Sequence, residues 1–335
     1  MQFDQLKRRE FITLLGAAAA WPLAARAQQG ERMRRIGVLM SLAADDPETL
    51  ARVTAFVQRL QQLGWTVGRN VQIDYRWATG DAKDFREYAA ELVALAPDII
   101  LAVSTLGVAA LLQATANRSV SIVFLQVADP VGSGFVESLA HPGGNITGFT
   151  NFEPAMGGKW LDVPREAVPA MTRVLVLIHP ETAAHKEFWR SIEESAGRLH
   201  VEATAAGVHN SAEIERAIAG FSARPDGGVI ALPHPVTEVH SDLIIQKATS
   251  HSLPTIFAFA ARASAGALIT YGIDLAEALL GTAQYVDRIL RGTRPADLPV
   301  QAPQTFELAV NLKTAKALNL TISPTLLTRA DKVIE

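Results

Sequence analysis

The sequence predicts an α/β protein built as two doubly wound parallel-sheet lobes. Three observations lead there. Short runs at 36–40, 99–103 and 122–127 are apolar throughout, as strands covered on both faces are. Between them lie segments whose apolar residues recur at helical spacing. The whole series then restarts near 174, so the pattern occurs twice in one chain.

The first strand covers 36–40. Asp46 can cap the helix that follows, with Pro47 at its first position, and Leu50, Val53, Val57 and Leu60 give its buried stripe. Gly64 ends it. A strand at 71–75 precedes a helix carrying Phe85, Ala89, Leu92 and Val93, which Pro97 closes. Strand 99–103 leads to a helix with Val108, Leu111 and Leu112. Strands 122–127 and 146–149 complete the first series.

In the second series, strand 174–178 is followed by a helix lined by Phe188, Ile192, Ala196 and Leu199. A weaker strand runs over 201–204. Asn210 and Glu213 form a capping pair ahead of Ile214, Ile218 and Phe221. Strands follow at 229–232, 255–259 and 268–271, with a helix through Val239, Leu243 and Ala248 after the first of them. A long helix through Leu279, Ala283, Val286 and Leu290, capped by Asp274, ends at Gly292. The break at Gly143-Gly144-Asn145 is short, which suits closely coupled lobes.

The 335 residues allow about two domains of roughly 150 residues each. A formal net charge of −3 gives no basic surface for nucleic acid. The chain has no cysteine, which excludes disulfides, thiolate metal sites and a cysteine nucleophile. Lys7-Arg8-Arg9, the apolar stretch from Phe11 to Ala25 and Ala25-Arg26-Ala27 have the order of a secretory signal peptide. Arg8-Arg9-Glu10-Phe11-Ile12 is of the twin-arginine type. Residues 1–27 are therefore expected to direct export to the periplasm, with cleavage after Ala27.

In open parallel sheets ligands bind beyond the carboxyl ends of strands, so the residues just after each strand are the candidates. Ser104-Thr105 open a helix whose free N–H groups suit an anion such as a carboxylate, although both residues are also ordinary caps. Asp129, in Asp129-Pro130-Val131-Gly132-Ser133-Gly134, can pair with a ligand amine or cap the next turn. The lone G-x-G there lacks the remaining dinucleotide fingerprint. His179 and His234 each follow a strand and precede a proline, at the rim of a cleft. The spacings of His179, His185, His234 and His240 match no metal motif, so no metal or cofactor is expected. No G-x-S-x-G elbow and no acid/base pair is visible, and no enzyme activity is expected. Phe257, Phe259 and Tyr271 lie in late strands, as core or as pocket lining.

The chain resembles the ABC-transporter substrate-binding protein family of the type I periplasmic-binding fold, in a branch related to aromatic amino acid binding proteins. The residues that carry the resemblance include Arg35-Ile36-Gly37-Val38-Leu39 and Leu63-Gly64-Trp65. Asp129-Pro130-Val131-Gly132, Pro142-Gly143-Gly144-Asn145-Ile146-Thr147-Gly148, Tyr271-Gly272 and Asp297-Leu298-Pro299-Val300-Gln301 extend it over nearly the whole chain. The resemblance implies a three-crossing hinge, with crossings near 147, 256 and 295. The lobes would then be 33–147 plus 256–295, and 148–255 plus 296–335. It also implies a cleft lined by Ser41, Ser104, Thr105, Gln126, Asp129, Asn151, His179, Pro233, His234, Phe257 and Tyr271. The implied role is capture of a small molecule, an amino acid or an aromatic carboxylate, by a monomer that delivers it to an ABC permease in the inner membrane. Service to a sensor or chemoreceptor, or an exported α/β enzyme, are the alternatives. One departure stands out: Asp162-Val163-Pro164 interrupts a helix that the family keeps unbroken, and a kink or a restart is expected there.

Overall fold

The computed structural model describes residues 33–335 apart from 117, 118, 274 and 304. The expected signal segment and the expected cap at Asp274 lie outside the described residues. The first series forms β1 (Arg34–Met40), α1 (Pro47–Gln62), β2 (Val71–Trp77), α2 (Ala82–Ala94), β3 (Ile99–Val103), α3 (Thr105–Ala114), β4 (Ser121–Val127) and β5 (Ile146–Thr150). These strands make a parallel sheet in the order β2-β1-β3-β4-β5. The caps are the expected ones. Asp46 Oδ1 accepts from Thr49 N at 2.8 Å, and Gly64, at φ +96°, takes the left-handed turn that ends α1.

The second series forms α4 (Met156–Ala167), β6 (Arg173–Ile178), α5 (Ala183–Leu199), β7 (Glu202–Gly207), α6 (Ser211–Phe221) and β8 (Gly227–Ala231). It continues with α7 (Pro235–Val239), α8 (Ser241–Ser250), β9 (Thr255–Phe257), α9 (Ala261–Ser264) and β10 (Ile269–Gly272). After α10 (Leu275–Leu290) come β11 (Glu307–Asn311), α11 (Leu312–Ala317), α12 (Pro324–Arg329) and β12 (Lys332–Ile334). The sheet order is β12-β11-β10-β9-β8-β6-β7, with only the β10–β11 pair antiparallel. Five of these elements, α9, β11, α11, α12 and β12, were not expected from the sequence. At Gly272 a Cβ would stand 1.6 Å from the Ala258 carbonyl oxygen, so only glycine lets β10 approach that backbone.

Two expected boundaries are corrected. β9 and β10 belong to the second sheet, so residues 256–272 do not join the first lobe. The chain returns to the first lobe only with α10, whose Leu279, Ala283, Val286 and Leu290 pack with Ile36, Val38 and Phe56. Each such buried aliphatic side chain contributes about 1.5–3 kcal/mol. The last crossing lies beyond 295. Thr147 Oγ1 donates to Leu298 O at 2.6 Å, and Thr150 N donates to Gln301 O at 2.9 Å, so the segment through Gln301 still lies along β5.

The restart expected at Pro164 is also corrected, because α4 runs through it as one helix. Proline removes one helix donor, and Val168 N restores the ladder beyond it by donating to Pro164 O at 2.8 Å.

Candidate functional site

Each lobe has a point where the winding of its sheet reverses, between β1 and β3 in the first and between β6 and β8 in the second. Ligand crevices form at such points, outside the strand carboxyl ends. The two sets of carboxyl ends face one another. At Gly80 a Cβ would lie 3.5 Å from the Pro235 backbone of the opposite lobe. The cavity there is only about 40 Å³, and the two lobes are in contact beside it.

Ser41 and Leu42 follow β1 and line this cavity. Ser104 follows β3 and caps α3, its Oγ accepting from Gly107 N at 3.3 Å. Its backbone, at φ +79° and ψ 158°, occupies a region that glycine alone adopts readily. Gln126 also has positive φ, +59°, at a bulge where the β4–β5 register shifts between Leu125 and Val127. The bulge turns its side chain toward α1, where its Oε1 accepts from Arg52 Nη1 at 3.2 Å. Backbone strain at two neighbouring strand ends marks this wall as shaped for more than packing.

Asn151 lies at the first crossing, 3 % exposed, and its Oδ1 has no hydrogen-bond partner. Across the cleft His234 caps α7. Val236 N donates to its Nδ1 at 3.2 Å, so Nδ1 is the acceptor and Nε2 carries the proton. His234 is 4 % exposed and its Nε2 also lacks a partner. Burial first, then the neighbouring His179, His185 and His209, hold its pKa well below the usual histidine value. The ring is therefore a neutral donor, and the Asn151 amide is a buried acceptor in the same lining. Leaving such atoms unpaired costs about 1–3 kcal/mol each, which a bound polar molecule would remove.

Charge completes the lining. Arg52 supplies a cation from the first lobe, beside the open N-terminus of α3. Glu238 supplies an anion from the second, and its Oε2 lies 3.2 Å from Arg262 Nε with both side chains nearly buried. Phe259 and Pro235 give apolar walls. Arg52 and Phe259 also border a neighbouring cavity of about 350 Å³, walled by Ala55, Ala261, Ile273 and Leu279.

Of the expected residues, Ser41, Ser104, Gln126, Asn151, Pro233 and His234 come together around the cavity. The other five do not line it. Thr105 is the first residue of α3 but stands outside the lining. Asp129 Oδ1 accepts from Gly132 N at 2.8 Å and so closes its own turn. His179 lies behind His234, the two rings stacked at 4.0 Å. Phe257 is buried in the second-lobe core. Tyr271 packs against Phe306, and its carbonyl accepts from Trp160 Nε1 at 2.7 Å. Sequence reasoning missed Leu42, Arg52, Pro235 and Glu238, and left Phe259 open as core or pocket lining. Phe259 had a usable cue: β9 stops at Phe257, which places Phe259 just past a strand's carboxyl end.

Comparison with known proteins agrees with this architecture. The chain is 27 % identical over 291 residues to a tyrosine-binding protein of Clostridioides difficile (strain R20291), covering 87 % of this chain and 82 % of that one. It superposes on the ABC domain in complex with L-Trp from Streptococcus pneumonia with a TM-score of 0.82 at 22 % identity, covering 90 % of this chain and all of that one. The ligand-free, open structure of a substrate binding protein with adhesive properties from Clostridium difficile gives 0.63 at 24 % identity, covering 90 % and 99 %. Residues 35–334 match the family described as ABC transporter substrate binding protein, and the chain belongs to that family.

Proposed function

We propose that this chain captures an amino acid between its lobes outside the cytoplasm and hands it to an ABC importer. The observation that carries the reading is that two residues lining this one cavity, Asn151 and His234, each hold a buried polar atom without a partner, Oδ1 and Nε2. The flanking charges suit a zwitterion. Arg52, the Ser104 hydroxyl and the α3 N-terminus take the carboxylate, and Glu238 takes the ammonium. Asn151 accepts a second ammonium hydrogen. The neighbouring apolar cavity beside Phe259 receives the side chain, and relatives named for tyrosine and L-Trp make an aromatic one the first choice. The cavity now enclosed is too small for such a molecule, so entry requires the lobes to swing apart about the three crossings.

A thermal-shift screen of the chain lacking residues 1–27 tests the proposal. The panel is the amino acids, aromatic acids without an amine, sugars and nucleosides. A ligand at about 100 times its Kd adds about 2.7 kcal/mol of stability. An aromatic amino acid should give the largest shift, and its des-amino analogue little. Shifts from sugars or nucleosides alone would overturn the assignment.

A further inference from the structure

The carboxyl ends of β6 and β7 carry a second group of side chains, outside the lining of the 40 Å³ cavity. The two strands pair in parallel with Ile178 opposite Gly207, so His179 and His209 emerge side by side although thirty residues apart in sequence. The turn after β6 closes with Thr182 N donating to His179 O at 3.1 Å and brings Glu181 between the two rings. His209 Nε2 lies 3.0 and 3.1 Å from the two Glu181 carboxylate oxygens. His179 Nδ1 lies 3.2 Å from Glu181 Oε2. One donor atom from each of the three residues falls within 4.8 Å of the others.

We propose that His179, Glu181 and His209 form a divalent transition-metal site, suited to Zn2+. Two ligands held 2.0–2.1 Å from a tetrahedral ion stand about 3.3 Å apart, close to the separation of Glu181 from each histidine here. Two imidazoles and a carboxylate are a borderline donor set of the kind zinc takes, with the remaining position open to water. The surrounding bonds point the same way. His209 Nδ1 lies 2.9 Å from Glu213 Oε2, on the first turn of α6, and the same oxygen accepts from His209 N at 2.8 Å. A carboxylate on the far nitrogen fixes the tautomer that turns Nε2 toward a metal and raises its basicity. Glu213 is itself placed by Asn210, whose Oδ1 accepts from Glu213 N at 3.0 Å. The site faces a crevice whose opposite wall is Thr79, Gly80 and Asp81 of the first lobe. The sequence hid the site because its members come from two strand ends with no fixed spacing between them.

The test is calorimetric titration of the untagged chain lacking residues 1–27 with ZnCl2, together with the visible spectrum of its Co2+ form. Parent protein should bind one Zn2+ per chain and give the intense bands of four-coordinate cobalt. His209→Ala and Glu181→Ala should each weaken binding by about 100-fold or more and abolish those bands. Glu213→Gln should weaken it by about 10-fold while the bands persist. His240→Ala, at a histidine outside the group, should change nothing. His209 and Glu181 are largely exposed, so these variants should melt as the parent does, which circular dichroism checks. Absence of stoichiometric zinc binding in the parent, or its retention in both His209→Ala and Glu181→Ala, would overturn the proposal.

Discussion

Replacing Asn151 by leucine should weaken ligand binding and leave the ligand-free chain as stable as before or more so. The two side chains are similar in size, but leucine brings no acceptor to a position that is 3 % exposed. Asn151 Oδ1 is buried without a partner, and a buried polar atom in that state costs about 1–3 kcal/mol. Leucine removes that cost, so the urea midpoint of the ligand-free protein should stay or rise at unchanged slope. In the complex the same oxygen accepts from a charged ammonium, a bond worth about 1.5–3 kcal/mol. Affinity should therefore fall by roughly 10- to 150-fold, read by titration with whichever amino acid gives the largest thermal shift. A variant that loses stability by more than about 1 kcal/mol while binding undiminished would refute the reasoning, because Asn151 would then be serving the fold.

Glu238→Gln should weaken amino acids but spare their des-amino analogues, since only the former carry the ammonium. It should also cost the fold about 3 kcal/mol, because it leaves Arg262 nearly buried without its carboxylate; paired titrations and melts check both effects. Burial pushes the Tyr75 phenol up to about 12, against an ordinary value of 10.0. The unfolded chain ionises first, so the stabilisation is complete below pH 10 and lost as pH rises toward 12. Partial exposure limits it to at most about 2 kcal/mol, and Tyr75→Phe should flatten the stability profile over that window. Replacing Arg8 and Arg9 by lysine should block export and leave precursor in the cytoplasm, whereas exported parent should begin at Gln28 by mass spectrometry. Normal export of the lysine variant would assign the general secretory route.

The double series of strands was legible because both faces of each sheet are covered, which leaves runs such as Ile99 to Val103 apolar throughout. β12 escaped because three exposed or half-exposed residues at a sheet edge carry no such pattern. The crossings were misplaced for a different reason. β9 and β10 read like any buried strand, and nothing in their composition says which sheet they join. In the cleft, Ser104 and His234 were found from their positions just after strands. Arg52 was not, because it sits within α1 and reaches the cleft only through the bulge that turns Gln126 toward it. Glu238 lies inside a short helix where an acid reads as a solvated face.

The return of α10 to the first lobe bears on how the chain is made. The first sheet is complete by Thr150, yet the helix that seals the face bearing Ile36, Val38 and Leu101 is not synthesised until residues 275–290. A growing chain therefore carries that apolar face without α10 while the second lobe is made as far as β10. Neither half can be expressed alone as a finished domain. A cell that exports this protein must either hold that face covered until α10 arrives or move the chain across the membrane before it tries to fold.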